Sequence, residues 1–257
     1  MGPDARVRVP SANLRPVGQL PRFFCLRILF FASLIAVPPP HRYQSLIFDL
    51  GGVLINLDYP ALKAAFAALS GSAEPLAFTL QGQAPLFDAL ETGQLAVADF
   101  RAALRQTYAL ADQTPDAAID AAWNAILLDF PPARLELLRA LRAAGYGLYL
   151  LSNTNGLHRA AFDAILRRDH GLTDGLLSFF DHVYYSHEVG LRKPDPAVFR
   201  HVIADQNLSP ARTLFIDDSP QHVTAARTVG LDALWLAPGQ TITAELPFLD
   251  ALRVPTA

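Results

Sequence analysis

The chain has 257 residues, 51% of them hydrophobic and 18% charged, with a formal net charge of −3 at pH 7. That is enough apolar material for one α/β domain plus a smaller insert, and the slight acidity, with no basic block, argues against nucleic acid as the main partner. The single cysteine, Cys25, excludes an intrachain disulfide and fits a reducing compartment.

Residues 1–40 differ from the rest. Arg6, Arg8, Arg15 and Arg22 precede an apolar run over 23–37 that is interrupted by Arg27 and Ser33, and Pro38, Pro39 and Pro40 follow. The run falls short of the ~20 residues of a membrane helix. Basic residues before a short apolar run resemble a secretory signal, but no small-x-small cleavage site follows and Arg27 breaks the run. The first reading is therefore a disordered extension from a start assigned too far upstream, on a cytoplasmic protein with no membrane association. A signal or anchor, and so export, ranks second.

The folded pattern begins near Tyr43. The stretch SLIFDL at 45–50 predicts a buried strand that delivers one carboxylate, Asp49, to its C-terminal tip, and Gly51 and Gly52 follow where the backbone must turn. From 58 to 131 no strand is convincing. Amphipathic helices are predicted over 61–69, 97–109 and 116–128, punctuated by Gly71, Pro75, Gly82 and Gly93. The segment is too long for a simple crossover, so a helical cap is expected at 58–131, with the core built from 41–57 and 132–257.

Beyond it, strand and helix alternate. A helix over 132–144 places Leu135, Leu138 and Leu141 on one face and Gly145 closes it. A strand over 147–152 and a helix over 157–168, with Phe162, Ile165 and Leu166 inward, come next. Then follow a strand at 182–186, a helix at 197–206 opened by Asp195 and Pro196, and a strand at 213–217. A helix at 221–229, opened by Ser219 and Pro220 and ended by Gly230, leads to a last strand at 233–236. This alternation predicts a parallel sheet with helices on both faces, a Rossmann-like three-layer α/β core.

Four polar clusters fall just after strands: Asp49; Ser152, Asn153, Thr154 and Asn155; Lys193; and Asp217 with Asp218. In a parallel sheet all C-terminal tips lie on one edge, so these groups should converge. Carboxylates gathered at one point raise one another's pKa unless a cation is present. Hard oxygen ligands favour magnesium. Lys193 and Ser152, with nearby backbone N–H groups, can hold a phosphate, and Asp49 could attack phosphorus to give an aspartyl-phosphate.

The sequences FDLGGVL at 48–54, LLSNTN at 150–155, GLRKPDPAVF at 190–199 and FIDDSPQHV at 215–223 resemble, in order and spacing, the motifs of the haloacid dehalogenase superfamily with a helical cap between the first two. Together they are similar to the group that holds bacterial α-glucose-1-phosphate phosphatases and the N-terminal phosphatase domain of soluble epoxide hydrolases. The resemblance covers Tyr43 to about Pro238. It implies that Asp49 is the nucleophile and a magnesium ligand and that Gly51 offers magnesium its carbonyl. It also implies that Ser152 and Asn153 bind phosphoryl oxygens and that Lys193 bridges Asp49 and phosphate. Asp218 would be the direct magnesium ligand, with Asp217 a neighbour or outer-shell partner. The implied activity is magnesium-dependent hydrolysis of a small phosphorylated metabolite such as a sugar phosphate, by a monomer or homodimer.

Two positions depart from the pattern. Most phosphatases of the superfamily carry a second aspartate where this chain has Gly51, and such an acid–base group is worth roughly 10²–10⁴-fold. Its absence favours phosphates with good leaving groups, and the glucose-1-phosphate phosphatase group also has glycine there. His222 stands where relatives often carry asparagine; it reads as an exposed helix residue before it reads as a replacement acid. A 2-haloacid dehalogenase is the enzymatic alternative, compatible with Gly51 but not with the Asp217–Asp218 pair. A disabled scaffold with a binding role is a third reading, supported by Gly51 alone.

Other residues have plainer readings. His182 and His187 match no common zinc pattern. His158 either borders the substrate or is a solvated helix residue. Phe87, Glu91 and Phe100 are candidates to line the substrate entrance, but Phe87 and Phe100 read first as cap core and Glu91 as part of a helix end; Trp123 and Trp235 read as core.

Overall fold

The computed structural model describes residues 42–70 and 85–246. The extension at 1–40 and the breaks at Gly71, Pro75 and Gly82 lie outside these described residues.

The first strand, β1 (Ser45–Phe48), has Leu46, Ile47 and Phe48 fully buried. A strand covered on both faces needs no polar alternation, and this one has none. Leu46 and Phe48 pack into one apolar cluster and Ile47 into another on the opposite face, as the two-residue period of a strand requires. Before the helix over Pro132–Ala143 leads the chain back to the sheet, the described residues form four helices: α1 (Tyr59–Ser70), α2 (Pro85–Glu91), α3 (Val97–Thr107) and α4 (Asp116–Asn124). Their inward residues, among them Phe66, Phe87, Phe100, Leu104 and Trp123, make a third apolar cluster. Phe87 and Trp123 stack at 5.3 Å, and Phe100 meets the Trp123 ring edge-on at 5.0 Å. Sequence periodicity did not reveal α2, because seven residues give two turns and too few repeats to establish a period.

The rest follows the alternating pattern: α5 (Pro132–Ala143), β2 (Gly147–Ser152), α6 (Gly156–His170), β3 (His182–Tyr185), α7 (Ser186–Val189), α8 (Pro196–Asp205), β4 (Thr213–Asp217), α9 (Pro220–Thr228), β5 (Asp232–Trp235) and α10 (Ile242–Glu245). Among the described residues these strands form one parallel sheet in the order β3-β2-β1-β4-β5. β1 is central: Ser45 lies opposite both Gly147 and Thr213, and Phe48 opposite Leu150 and Ile216. Helices α5 and α6 pack on one face of the sheet, α8 and α9 on the other. No helix among the described residues is long and apolar enough to cross a membrane.

Three differences from expectation have a plain structural cause. β1 ends at Phe48, so Asp49 and Leu50 lie beyond the ladder. Trp235 closes the edge strand β5 and is 44% exposed rather than core, since an edge position has no neighbour to cover it. α4 stops at Asn124 instead of continuing to Leu128, because the chain there pairs with the segment leaving β1. Asn56 N–H donates to Asp129 O at 2.9 Å, Asp58 N–H to Ile126 O at 2.8 Å and Leu128 N–H to Asn56 O at 3.0 Å, around a Leu57–Leu127 bridge. The outgoing and returning strands of the four-helix segment thus run side by side.

Asn155 joins that segment to the core. Its side-chain oxygen caps α6, accepting from Leu157 and His158 N–H at 3.1 Å each, and lies 3.3 Å from the indole nitrogen of Trp123 in α4. Asn155→Ala should lower stability by about 1–2 kcal/mol, the usual cost of a lost N-cap, as a reduced urea midpoint with unchanged slope.

Candidate active site

The strand tips converge as the sheet topology requires. Asp49 follows β1, and its N–H donates to Ile216 O at 2.9 Å, which ties it to the strand that ends in Asp217. Ser152 closes β2. Lys193 reaches the same point from the loop after α7, which leaves that helix through Gly190 in the left-handed region (φ 75°). Lys193 Nζ donates to Asp49 Oδ1 and to Asp217 Oδ2, each at 2.7 Å, and the lysine is fully buried.

Asn153 fixes that lysine. Its Nδ2 donates to Lys193 O at 2.8 Å and its Oδ1 accepts from Lys193 N–H at 2.9 Å. The Asn153 side chain is thereby committed to the backbone of Lys193. Ser186 supports the same loop, accepting from Thr154 N–H at 2.9 Å and donating to Thr154 O at 3.0 Å.

The two adjacent aspartates of β4 have opposite environments. Asp217 is fully buried and saturated: Lys193 on Oδ2, Ser219 N–H on Oδ1 at 2.7 Å, and His222 Nδ1 at 3.0 Å from both oxygens. Burial alone would raise its carboxyl, but Lys193 and His222 prevail and hold it below the ordinary value. Asp218 lines the cavity instead. Burial, then the charges of Asp49 and Asp217, push its carboxyl from 3.8 to about 7. Asp49 is also raised, first by burial and then by Asp217, against the opposing pull of Lys193. Burial would lower the Lys193 ammonium, but Asp217 and Asp49 together raise it. Each of Asp49, Asp217 and Asp218 can offer a ligand oxygen within 4.8 Å of the others.

His222 is not the exposed helix residue expected: its side chain is 14% exposed and lies against Asp217. The glycine pair explains the tight turn. Gly52 adopts φ +71°, and a Cβ there would sit 2.1 Å from Asp218 Oδ2, so only glycine lets the turn approach that acid. A Cβ on Gly51 would meet Leu57 Cδ1 at 2.9 Å, so a side chain there requires the end of Leu57 to shift.

These groups open into a cavity of about 360 Å³. Leu57, Ile126, Leu127 and Phe162 give it apolar walls, while Tyr59, Asp88, Glu91, His158, Arg192 and Gln221 give it polar ones. His158 borders the cavity, but both ring nitrogens are engaged. Nδ1 faces Asn155 Nδ2 at 3.2 Å and so accepts, and Nε2–H donates to Trp123 O at 3.2 Å. Burial lowers its pKa to about 4, and the ring stacks on Trp123 at 4.8 Å, so it stands there neutral. Burial also pushes the Tyr59 phenol up, helped by Asp218 and Asp49. Tyr59, Asp88, Arg192 and Gln221 were not singled out from the sequence. Arg192 adjoins Lys193 in the third motif, which was the one available signal.

A family model described as haloacid dehalogenase-like hydrolase matches residues 43–230. The chain is 27% identical over 194 residues to a D-ribitol-5-phosphate phosphatase of Bacteroides thetaiotaomicron, covering 74% of this chain and 89% of that protein. A haloacid dehalogenase family enzyme of the same bacterium, crystallised as a variant with magnesium and inorganic phosphate, superimposes with a TM-score of 0.70 at 32% identity, over 77% of this chain and 95% of that one. A predicted haloacid dehalogenase-like hydrolase of Porphyromonas gingivalis gives a TM-score of 0.67 at 29% identity, over 82% and 97%. With the parallel sheet, the converging acids and the buried lysine, these likenesses establish that the chain belongs to the haloacid dehalogenase-like hydrolases.

Proposed function

We propose that the protein is a magnesium-dependent phosphatase that cleaves a small phosphorylated metabolite, of the sugar-phosphate kind, through an aspartyl-phosphate on Asp49. The observation that carries this reading is the Lys193 ammonium held between Asp49 and Asp217, with Asp218 open to the cavity beside them. Three carboxylates against one ammonium leave an excess of negative charge that a hard cation would relieve, and clustered oxygen donors are the set magnesium prefers. Asp49 and Asp218 would hold it, with the Gly51 carbonyl. Asp217, whose oxygens already serve Lys193, His222 and Ser219, would act from behind. When bound, the ion neutralises charge on the phosphoryl oxygens. The relatives named as phosphatases, and the relative crystallised with magnesium and phosphate, support the same reading.

In the reaction, Lys193 holds Asp49 Oδ1 and orients the carboxylate, so that Oδ2 attacks phosphorus as the ester P–O bond breaks. Lys193 and Ser152 hold the phosphoryl oxygens. Water then attacks the aspartyl-phosphate, releasing inorganic phosphate and restoring Asp49. No acid at Gly51 protonates the departing oxygen, so esters whose leaving groups depart readily are favoured. Helices α1 to α4 belong to the cap, at 58–131, whose α2 and Tyr59 line the cavity and would exclude water. The carboxylate cluster favours this reading over a 2-haloacid dehalogenase, where carbon is attacked and no metal is held.

Asp49→Asn should cut turnover of p-nitrophenyl phosphate by about 10³-fold or more, since the nucleophile itself is lost. Chelation of magnesium in the native protein should cut it comparably, and undiminished turnover in either case would sink the reading. In metal-free protein, the raised carboxyls of Asp218 and Asp49 retain protons that the unfolded chain has released. Below about pH 6.5 the neutral, buried His158 acts in the opposite sense, because the unfolded chain binds its proton and the folded one does not, so the net fall in stability is expected as pH rises from about 6.5 through about 7. Thermal melts in EDTA should give a lower Tm at about pH 8 than at about pH 6.5, with magnesium raising Tm more at the higher pH. Gly51→Asp should raise kcat on alkyl phosphates, by about tenfold or more once Leu57→Ala makes room for the new acid.

A further inference from the structure

The cavity carries a second charged group that the chemistry above does not use. Helix α2 brings Asp88 and Glu91 against Arg192. Arg192 Nη1 pairs with Asp88 Oδ1, and Nη2 stands 3.3 Å from Glu91 Oε2. Glu91 is 5% exposed, and all three residues line the cavity. The Arg192 side chain is 22% exposed, so part of its guanidinium can meet a ligand in the cavity.

The charges decide what kind of ligand group fits. Lys193 is already shared by Asp49 and Asp217, and Arg192 is the other permanent cation in the lining. A second anionic group on a substrate would have to draw Arg192 away from Glu91, leaving a buried carboxylate without its cation, an expensive state. An ammonium on the substrate would meet the guanidinium itself. A hydroxyl suffers neither penalty. It accepts from an accessible guanidinium N–H of Arg192 and donates to a carboxylate oxygen, while Leu57, Ile126 and Leu127 pack against the carbon chain.

We propose that Arg192, Glu91 and Asp88 are the specificity determinants of this cavity, selecting phosphate monoesters whose leaving group bears neutral hydroxyls and rejecting those with a second anionic group. The proposal rests on the phosphatase reading above.

The test is a magnesium-supplemented assay of the full chain against a pentitol monophosphate, 2-phosphoglycolate and p-nitrophenyl phosphate. The pentitol ester should exceed phosphoglycolate in kcat/KM by about tenfold or more, the discrimination expected when buried groups are left unpaired. Glu91→Gln with Asp88→Asn releases Arg192 and should move that ratio toward phosphoglycolate by about tenfold, chiefly through KM. Asp88→Asn alone, at a side chain 43% exposed and so safer for folding, should move it in the same direction. A wild-type protein that prefers phosphoglycolate, or a ratio unmoved in both variants, overturns the proposal while p-nitrophenyl phosphate turnover keeps the phosphatase reading. No turnover of any ester removes both.

Discussion

The active edge of this protein is organised by one ammonium group. Lys193 is fully buried and 2.7 Å from two carboxylates, neither of which is on its own segment. Burying such a charge costs several kcal/mol unless its partners are already in place. The fold meets that condition from three sides: β1 brings Asp49, β4 brings Asp217, and Asn153 after β2 clamps the lysine's own backbone from both directions. Strand pairing, loop conformation and side-chain charge are therefore parts of one arrangement. The Asn153 clamp has an obvious purpose in it, since a lysine on a free loop would lose much conformational entropy on burial.

The same ammonium separates two neighbouring acids into different roles. Asp217 and Asp218 are consecutive, yet one carboxyl is held low and the other is raised to about 7. The strand period points successive side chains to opposite sides. Asp217 turns inward to Lys193, His222 and the Ser219 N–H, while Asp218 turns to the cavity and to the left-handed turn at Gly52. A raised carboxyl beside an open space is poised to be improved by a cation, and a saturated one is not. The difference lies in surroundings, not residue type.

Much of this was legible in the sequence, and the omissions have physical causes. The strands over 147–152 and 213–217 were placed at their observed bounds because apolar runs closed by Gly, Ser or Asp leave little ambiguity. Asp49, Ser152, Lys193, Asp217 and Asp218 could be gathered because parallel strands put all their tips on one edge. What could not be read was which atom of each residue faces inward. Asn153 was expected beside the phosphate, and its side chain in addition clamps the backbone of Lys193. His222 looked exposed and lies against Asp217. Helix α2 is too short to show a period, so Asp88 had no predicted face, Glu91 read first as a helix end although it lines the cavity, and Arg192 had no visible partner. Trp235 depended on the sheet order, which no local pattern encodes.

The paired crossing between 56–58 and 126–129 bears on how such a protein can change. The ends of the intervening segment are already hydrogen-bonded to each other, with the Asn56 amide on Asp129 Oδ1 at 2.9 Å reinforcing the backbone ladder. Closing a chain loop costs entropy that grows only with the logarithm of its length. Residues within it can accordingly be lengthened, shortened or replaced at small thermodynamic cost while the geometry of the acids at the strand tips stays fixed. The cavity draws one wall from each side of this crossing, so new leaving groups can be explored by variation in one wall while the phosphate-handling chemistry of the other is inherited unchanged.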